Sequence, residues 1–427
     1  MSKICSIGSV PNDFIDLKLK DLADTKVMNS FTDGDWIESK HMSCSGVRLI
    51  QTGNIGVGKF IEKDNKKYIS EKTFNELKCK EVKEGDILIC RLADPIGRSC
   101  IIPKINSKLI TSVDVALLRI NKKYFDNKYI NYYFNFEKHL NTINSFASGT
   151  TRQRISRGNL GEVKVAVPPL KEQQKIAEIL SSVDAAIEKT EQVIAKTEEV
   201  KKGLMQQLLT KGIGHTEFKQ TKIGEIPLTW DLVKLEEVTQ LITKGTTPTT
   251  YGYKFEDNGV NFIKVENLRQ SINSNELLKI SYECHEKLQR SQLQIGDILF
   301  SIAGTLGSTY IVDESILPCN TNQALSIIRL KNNVNICYIN YVLNSNLIQK
   351  EIDGLRTVGA QPNLNLKQVG NFTIPFPPID EQDRISQIIK KNEEMIYNEI
   401  KKLRKLKSLK QGLMQQLLTG QVRVKID

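Results

Sequence analysis

The chain has 427 residues, which is long enough for two or three domains. It carries 60 lysines and arginines against 49 aspartates and glutamates, and the net charge of +11 favours a polyanionic partner. The first residues lack the apolar core of a signal peptide and no apolar run approaches membrane-spanning length, so we expect a soluble, cytoplasmic protein with no membrane contact.

The first 167 residues have the pattern of a mixed α/β domain. Short β-branched runs bounded by glycine, asparagine or aspartate predict strands and turns, as at residues 47–50 and 85–88. Residues 129–134, which are rich in tyrosine, predict a helix. The order of the strands does not follow from this pattern.

A glycine-rich turn at residues 53–59 has the spacing of a phosphate-binding loop. The residue after Lys59 is Phe60, where such a loop needs serine or threonine to hold magnesium. ATP hydrolysis at this turn is therefore the weaker interpretation. The favoured one is contact with a DNA backbone phosphate through Gly53, Asn54 and Lys59.

Two further loops of this segment are rich in basic and amide side chains. Arginine suits phosphates and guanine edges, and glutamine can bond adenine in two places. A charged loop is usually only solvated, but these loops together favour contact with DNA. The candidates are Arg91, Arg98, Arg152, Gln153 and Arg154.

A long helix is predicted next, over residues 172–209, which contain no proline. It would be about 57 Å long at 1.5 Å per residue. Its apolar residues recur in steps of three and four, so they form one narrow stripe. The stripe consists of Ile176, Leu180, Val183, Ile187, Ile194, Leu204 and Leu208. A thin stripe on so long a helix predicts pairing with another helix rather than burial in a large α domain.

A second globular segment follows the glycines at 212 and 214, which end the helix. Residues 211–229 are expected to form the linker. Residues 338–341 repeat 129–132 at a distance of 209, and residues 296–299 repeat 85–88. The candidate DNA contacts here are Lys244, Thr246, Lys264, Asn267, Gln361 and Asn363.

The chain ends with a second copy of the long helix. Residues 412–419 repeat 203–210 letter for letter. The second stripe consists of Ile385, Ile389, Ile396, Leu403, Leu413 and Leu417. Because the helices match closely and the globular halves only at scattered positions, we expect the helices to pair and the two halves to face different ligands.

No catalytic or metal-binding constellation stands out. The four histidines, His41, His139, His215 and His285, have no partners at metal-ligand or triad spacing. The eight cysteines form no Cys-x-x-Cys pair, so neither a zinc cluster nor a disulfide framework is indicated.

Several motifs carry a family resemblance that spans the chain. These are the Pro-Pro-x-x-Glu-Gln blocks at 168–173 and 377–382 with their helices, the segment 218–230, and Gly-Ala-Gln-Pro-Asn-Leu at 359–364. With the duplication, they resemble the specificity subunit of a type I restriction-modification system. Residues 11–19 depart from the pattern, because they lack the Gly-x-Ile-Pro-x-x-Trp entry of the second half.

The resemblance implies an α+β fold with a pseudo-twofold internal repeat. Two mixed α/β target recognition domains are separated by two long antiparallel helices that form a coiled coil. The expected segments are a first recognition domain at 1–167, a first helix at 168–212, a second recognition domain at 213–374 and a second helix at 375–427.

The same resemblance implies the function. Each domain would read one part of a split target in double-stranded DNA, and the helices would set the spacer and dock two modification (methyltransferase) subunits. Restriction subunits would join this core. The chain itself would catalyse nothing and hold no cofactor, with S-adenosylmethionine, ATP and magnesium on the partner subunits. A coiled-coil adaptor with protein ligands only, and an enzyme using ATP at residues 53–59, are the alternatives.

Overall fold

A computed structural model of the chain describes residues 2–5, 7–92, 95–149, 153–269, 272–355 and 363–426. The chain divides into two compact units, Met1–Glu191 with Lys401–Asp427, and Gln192–Ile400. Each unit contains one globular half, the first part of the long helix that follows it and the last part of the other long helix. Each long helix therefore contributes to both units, and the predicted division into four consecutive segments stays a prediction.

Among the described residues, the first half contains twelve strands, with helices between them and a long helix at the end. The strands are β1 (Ser2–Cys5), β2 (Gly8–Pro11), β3 (Ile15–Lys18), β4 (Phe31–Asp33), β5 (Met42–Ser43), β6 (Val47–Ile50), β7 (Lys67–Ile69), β8 (Ile87–Cys90), β9 (Ser99–Ile101), β10 (Leu109–Thr111), β11 (Val115–Leu118) and β12 (Lys164–Val167). The helices are α1 (Glu71–Glu76), α2 (Asn127–Phe134), α3 (Glu137–Ser145), α4 (Arg157–Glu162) and the long helix α5 (Leu170–Lys211).

The second half repeats most of this order of elements, without a counterpart of β5 among its described residues. Its described strands are β13 (Phe218–Thr221), β14 (Gly224–Pro227), β15 (Asp231–Lys234), β16 (Thr239–Lys244), β17 (Val260–Ile263), β18 (Leu278–Ile280), β19 (Ile298–Ser301), β20 (Thr309–Ile311), β21 (Cys319–Thr321), β22 (Leu325–Leu330) and β23 (Thr373–Phe376). Its helices are α6 (Leu235–Val238), α7 (Tyr282–Lys287), α8 (Ile336–Leu343), α9 (Asn346–Gly354), α10 (Leu366–Gly370) and the long helix α11 (Ile379–Leu418).

Both halves contain the same two sheets. An antiparallel sheet has the order β4-β11-β8-β9 in the first half and β16-β22-β19-β20 in the second. A mixed sheet pairs β6 in parallel with β10 in the first half, and β17 in parallel with β21 in the second. The predicted mixed α/β halves and internal repeat are therefore confirmed.

The entry to each half is a hairpin. Strands β1 and β2 pair in the first half, and β13 and β14 pair in the second. Residues 211–229, which were predicted to form a linker, contain this second hairpin. Phe14 precedes β3 as Trp230 precedes β15, and both rings are buried. The first half thus has the same entry, with phenylalanine in place of tryptophan.

The predicted helix at 129–134 is confirmed as part of α2. Asp126 caps it by accepting a hydrogen bond from the Tyr129 backbone N–H at 2.9 Å. Tyr129 and Tyr133 lie in the core of the first unit, and Tyr338 of α8 lies in the core of the second. These buried rings join each small helix to the sheet beneath it.

Parts of α5 and α11 run antiparallel inside each unit. In the first unit Asp184 pairs with Lys410 at 2.7 Å and Glu191 with Lys407 at 2.8 Å, so residue numbers rise along one helix as they fall along the other. The predicted antiparallel pairing is confirmed. Among the described residues, none of the helices is long and apolar enough to pass through a bilayer.

The predicted stripes differ in burial along the helices. The positions next to a globular half are buried, namely Ile176, Leu180, Leu208, Ile385, Ile389 and Leu417. The other positions are half-buried, namely Val183, Ile187, Ile194, Leu204, Ile396, Leu403 and Leu413. The helices therefore bury their stripes most fully against the domains.

Candidate functional site: helix junctions and recognition loops

A glutamine at the start of each long helix ties it to its globular half. The Gln173 Oε1 accepts a hydrogen bond from the Asp126 N–H at 3.0 Å, and the Gln382 Oε1 accepts one from the Asn335 N–H at 3.1 Å. Each glutamine also donates to the carbonyl oxygen of the first proline of its Pro-Pro pair, at 2.8 Å in both cases. Because Asp126 and Asn335 cap α2 and α8, the two junctions have the same design.

A buried carboxylate precedes each glutamine, and the first of them is neutralised by arginine. Glu172 is 1% exposed and binds Arg423, which follows α11, with Nε–Oε1 at 2.7 Å and Nη2–Oε2 at 2.6 Å. Arg423 also binds Asp13 at 2.7 Å and lowers the pKa of that carboxyl. The segment after α11 is thus fixed to the entry of the first half.

The second carboxylate, Glu381, is 4% exposed and accepts hydrogen bonds from neutral donors and a histidine. The Trp230 Nε1, the Ile213 N–H and the His215 Nε2 each lie 2.9 Å from one of its oxygens. Gly212 begins this turn with φ of +65°, and a Cβ there would lie 2.6 Å from the Trp230 ring. Glycine at this position therefore ends α5 and also leaves the space that the Trp230 ring occupies.

A tyrosine, a carboxylate and a lysine form a three-residue contact in the first unit. The Tyr132 hydroxyl of α2 donates to Asp184 of α5 at 2.7 Å, and Lys410 of α11 binds the other oxygen of the same carboxylate at 2.7 Å. Lys410 Nζ also lies 5.4 Å from the centre of the Tyr132 ring. Burial raises the pKa of Tyr132, so the hydroxyl remains a donor.

The second unit repeats this contact with residues shifted by 209. The Tyr341 hydroxyl donates to Glu393 at 2.8 Å, and Lys201 binds the other oxygen of Glu393 at 2.6 Å. Each contact joins the recognition half, its own long helix and the other long helix. We call the two sets of residues the helix clamps.

The glycine-rich turn of the first half is stabilised by two of the predicted residues. Asn54 is 7% exposed, accepts from the Gln51 N–H at 3.0 Å and donates to the Ile61 carbonyl at 3.0 Å. Arg98 donates to the carbonyl oxygens of Ile55 and Thr52, at 2.8 and 3.2 Å. The structure thus brings Asn54 and Arg98 together, and uses both side chains to hold the turn.

Lys59 and Gly53 belong to the same turn, and Lys59 is exposed. No helix follows between residues 55 and 70, all of which the structure describes, so the turn lacks the strand–loop–helix context of a nucleotide-binding loop.

The predicted arginines at 91 and 154 lie just beyond the end of β8, where Arg91 follows the strand directly and Arg154 forms an isolated bridge with Leu92. Arg91 is 4% exposed, pairs with Asp33 at 3.0 Å and donates to the Ile155 carbonyl at 3.2 Å. Arg154 is half-exposed and pairs with Asp114 at 3.0 Å. Arg91 therefore has a structural environment, whereas Arg154 can reach a ligand.

In the second half, Thr321 links two of the predicted loops. The Thr246 N–H donates to the Thr321 carbonyl at 2.9 Å, and the Thr321 hydroxyl donates to the carbonyl of Ile263, which precedes Lys264, at 3.0 Å. Lys244 is exposed at the end of β16. The Asn267 side chain accepts from the Lys264 N–H at 2.8 Å, which forms the turn.

The remaining candidates lie in the loops before the long helices. Gln153 and Asn363 are exposed. Arg152 and Gln361 lie outside the described residues. The DNA-contacting role of all fourteen candidates stays a prediction.

In the part of the chain that the structure describes, no three histidine, cysteine or acidic side chains converge in a way that could hold a metal ion. All eight cysteines are free thiols. His139 is fully buried and stacks on Phe134 at a centroid distance of 5.4 Å. Burial lowers the pKa of His139 to about 3, so the ring is neutral.

The duplicated fold and its junctions match one known family. The family described as type I restriction modification DNA specificity domain matches residues 16–199 and again residues 227–411. The chain belongs to this family. Each matched stretch begins near the start of a globular half and ends within a long helix. The two matches therefore coincide with the two copies of the structural repeat.

Curated relatives agree with this assignment. A putative type I restriction enzyme specificity subunit, MjaX of Methanocaldococcus jannaschii, is 27% identical over 99% of this chain and 97% of its own length. The MjaVIII specificity subunit of the same organism is 28% identical over 81% of this chain and 80% of its own length.

Solved structures support the fold of the specificity protein. A chain from a structure concerned with complex assembly and conformational transition of the type I R-M system has a TM-score of 0.59, with 18% identity and coverage of 97% of this chain and 99% of that one. The type I restriction-modification S subunit of M. genitalium has a TM-score of 0.57, with 15% identity and coverage of 95% and 96%.

Sequence reasoning noted the motifs that contain the joining residues, but it did not assign those residues the role of joining the helices to the domains. Glu172 and Glu381, and Tyr132 and Tyr341, recur at the same distance of 209 that reveals the repeat. The same polar residue at corresponding positions of two copies that otherwise differ was the signal that could have identified them.

Proposed function

We propose that this chain is the DNA-recognition subunit of a type I restriction-modification complex, and that each globular half reads one part of a bipartite target. The observation that carries this proposal is the double match to a DNA specificity domain, at residues 16–199 and 227–411. Two copies of one sheet framework with different loops suit the reading of two different half-sites.

The long helices hold the two readers at a set separation and dock two modification subunits. The helix clamps support this role, because each fixes a recognition half to both helices. If the helices are rigid, the number of base pairs between the two half-sites depends on the length of the helices rather than on the base sequence.

The catalytic steps belong to the partner subunits in this proposal. The modification subunits bind S-adenosylmethionine and methylate adenine, and restriction subunits that use ATP and magnesium join the assembly. The chain itself supplies base and phosphate contacts. An adaptor with protein ligands only would not bind duplex DNA in a salt-dependent way, and so the two functions are separable by experiment.

The test is a domain exchange followed by mapping of methylated adenines. Strands β3 and β12 pair along Ile15–Lys18 and Lys164–Val167, so residues 15–167 should be exchanged together with those of a relative. The expected result is a new base sequence in one half of the methylated site, with the other half and the spacer unchanged. Changes in both halves, or loss of any bipartite pattern, would contradict the proposal.

A further inference from the structure

A polar pocket of about 270 Å³ lies beside the glycine-rich turn of the first half. Its lining includes Gly53 and Asn54 of the turn and four basic side chains, Arg48, Lys63, Lys66 and Lys67. Of these residues only Gly53 and Asn54 were singled out from the sequence. The basic side chains come from β6, from β7 and from the loop between them.

One wall of the pocket is held rigidly. Asn54 bridges the Gln51 N–H and the Ile61 carbonyl, so it joins the two ends of the turn. Arg98 stabilises the same turn by donating hydrogen bonds to the carbonyl oxygens of Thr52 and Ile55. Because this wall is already ordered, binding a ligand there costs little conformational entropy of the loop.

Lys63 is packed against Gly53. A Cβ added to Gly53 would lie 3.1 Å from the Lys63 Cε and would overlap its ammonium group. No positive φ is recorded for Gly53, whereas Gly58 of the same loop has φ of +80°. A side chain at 53 would therefore displace the Lys63 ammonium, which is the far end of a flexible side chain and can move aside.

The charge in the pocket is only partly balanced. Glu62 binds Arg48 at 3.2 and 2.6 Å and also lies 3.5 Å from Lys66. Among the described residues, no carboxylate lies within ion-pair distance of Lys63 or Lys67. Among the described residues, one carboxylate thus faces four basic side chains, and two of the ammonium groups have no carboxylate partner.

The corresponding strand of the second half carries a different side chain at this position. The register of the mixed sheets places Asn261 of β17 where β6 has Arg48. Asn261 donates to the Ile316 carbonyl at 2.6 Å and accepts from Lys279, so this lysine is engaged within the protein. At this position the two halves therefore differ, with arginine in the first half and asparagine in the second.

We infer that this pocket binds a phosphate group of the DNA backbone, with Lys63 and Lys67 as the direct ligands. The inference rests on the proposed function and adds a site to it. Contacts to phosphate fix the register of a protein on the duplex and carry no sequence information directly. The pocket would thus position the first recognition half while other loops read the bases.

The first test uses the full chain in complex with its modification subunits. Binding to a target duplex and to a shuffled duplex of equal length is measured over a range of salt concentrations for Lys63→Gln with Lys67→Gln. Losing one phosphate contact lowers the salt slope by about 0.9, which corresponds to about eightfold weaker binding at 0.1 M salt relative to 1 M. The reduction should be the same on both duplexes.

The control is Lys72→Gln, which removes an exposed lysine of α1 that pairs with Glu76 at 3.8 Å. It should leave the salt slope unchanged. An unchanged slope in the double variant, or a loss confined to the target duplex, would overturn the inference. If wild-type complex does not prefer the target duplex, the proposed function itself fails, which is a distinct result.

A second variant, Gly53→Ala, keeps every charge and moves only the Lys63 ammonium. It should weaken duplex binding in the wild-type background and have no further effect once Lys63 is glutamine. Thermal unfolding of each variant checks that the fold is retained. An equal loss of duplex binding in both backgrounds would show a merely structural effect and overturn the inference. A change in ATP binding without a change in DNA binding would also overturn it.

Discussion

Glu172 and Arg423 are 251 residues apart in the sequence and form a two-point ion pair in the first unit. The carboxylate is buried in the first turn of α5, where the helix dipole also favours negative charge. The second unit holds the corresponding carboxylate, Glu381, by the N–H groups of Trp230, Ile213 and His215. The same buried acid is therefore retained with two different sets of donors.

Arg423→Ala should destabilise the first unit, because it leaves Glu172 buried without a cation. Leaving a buried acceptor unsatisfied costs about 1–3 kcal/mol, and the partial exposure of Arg423 argues for the lower part of that range. Urea unfolding of the full chain measures the loss. Arg404→Ala, at an exposed position of α11, is the control and should have little effect. Equal stabilities of the two variants would contradict the role of Arg423.

The helix clamps make a paired prediction. Tyr132→Phe and Tyr341→Phe each remove one hydrogen bond to a carboxylate and keep the ring, so each should cost about 1–2 kcal/mol. The two residues lie in different units and share no partner, so the costs should add in the double variant. Chemical unfolding measures all three. A cost for one tyrosine alone would show that the two clamps differ in strength.

The fold was largely predictable because its strongest signals are local. The apolar period of 3.6 residues predicted both long helices, and the copy at a distance of 209 showed that the chain is duplicated. Sheet order was not predictable, since parallel pairs such as β6 with β10 join residues 61 apart, as in the Thr111 contact with the Ile50 carbonyl. No local pattern encodes such a pairing.

The candidate site was harder to predict because residue type does not determine exposure. Arg91 and Arg98 have the donors that suit DNA, but in the fold those donors bind backbone carbonyls of the protein. Lys63 and Lys67 were not among the residues that the sequence analysis selected, because residue type alone does not distinguish them from other charged residues of a loop. Only the packing of Lys63 on Gly53 distinguishes that loop from an ordinary one.

The apolar stripe of α5 should contribute unequally along its length. Leu180 is fully buried in the core of the first unit, whereas Ile187 is half-buried two turns later. Leu180→Ala should cost about 2–5 kcal/mol, and Ile187→Ala clearly less. A charge at Ile187 should also cost less than expected for a buried seam, because solvent reaches it. Unfolding by urea ranks these variants, and equal costs would contradict the burial pattern.

The last prediction concerns His139, whose two ring nitrogens are buried without a hydrogen-bond partner among the described residues. The position 209 residues later in α9 is Ile348, which is also fully buried. His139→Ile therefore substitutes the side chain that the second half uses in the same place. It should stabilise the protein at pH 7.5 by about 1–2 kcal/mol, because a polar ring no longer lacks partners.

The pH dependence gives a sharper result. Burial lowers the pKa of His139 from 6.5 to about 3, so between these values the unfolded chain binds a proton that the folded chain does not. The unfolding free energy should fall as pH falls through this window, by up to about 1.4 kcal/mol per pH unit from this group. His139→Ile should remove that part of the slope, and the reverse change, Ile348→His, should add a similar one in the second unit. Urea unfolding at intervals from pH 7.5 to pH 4.5 measures the slopes. Equal slopes for wild type and His139→Ile would mean that the buried ring is protonated in the folded state.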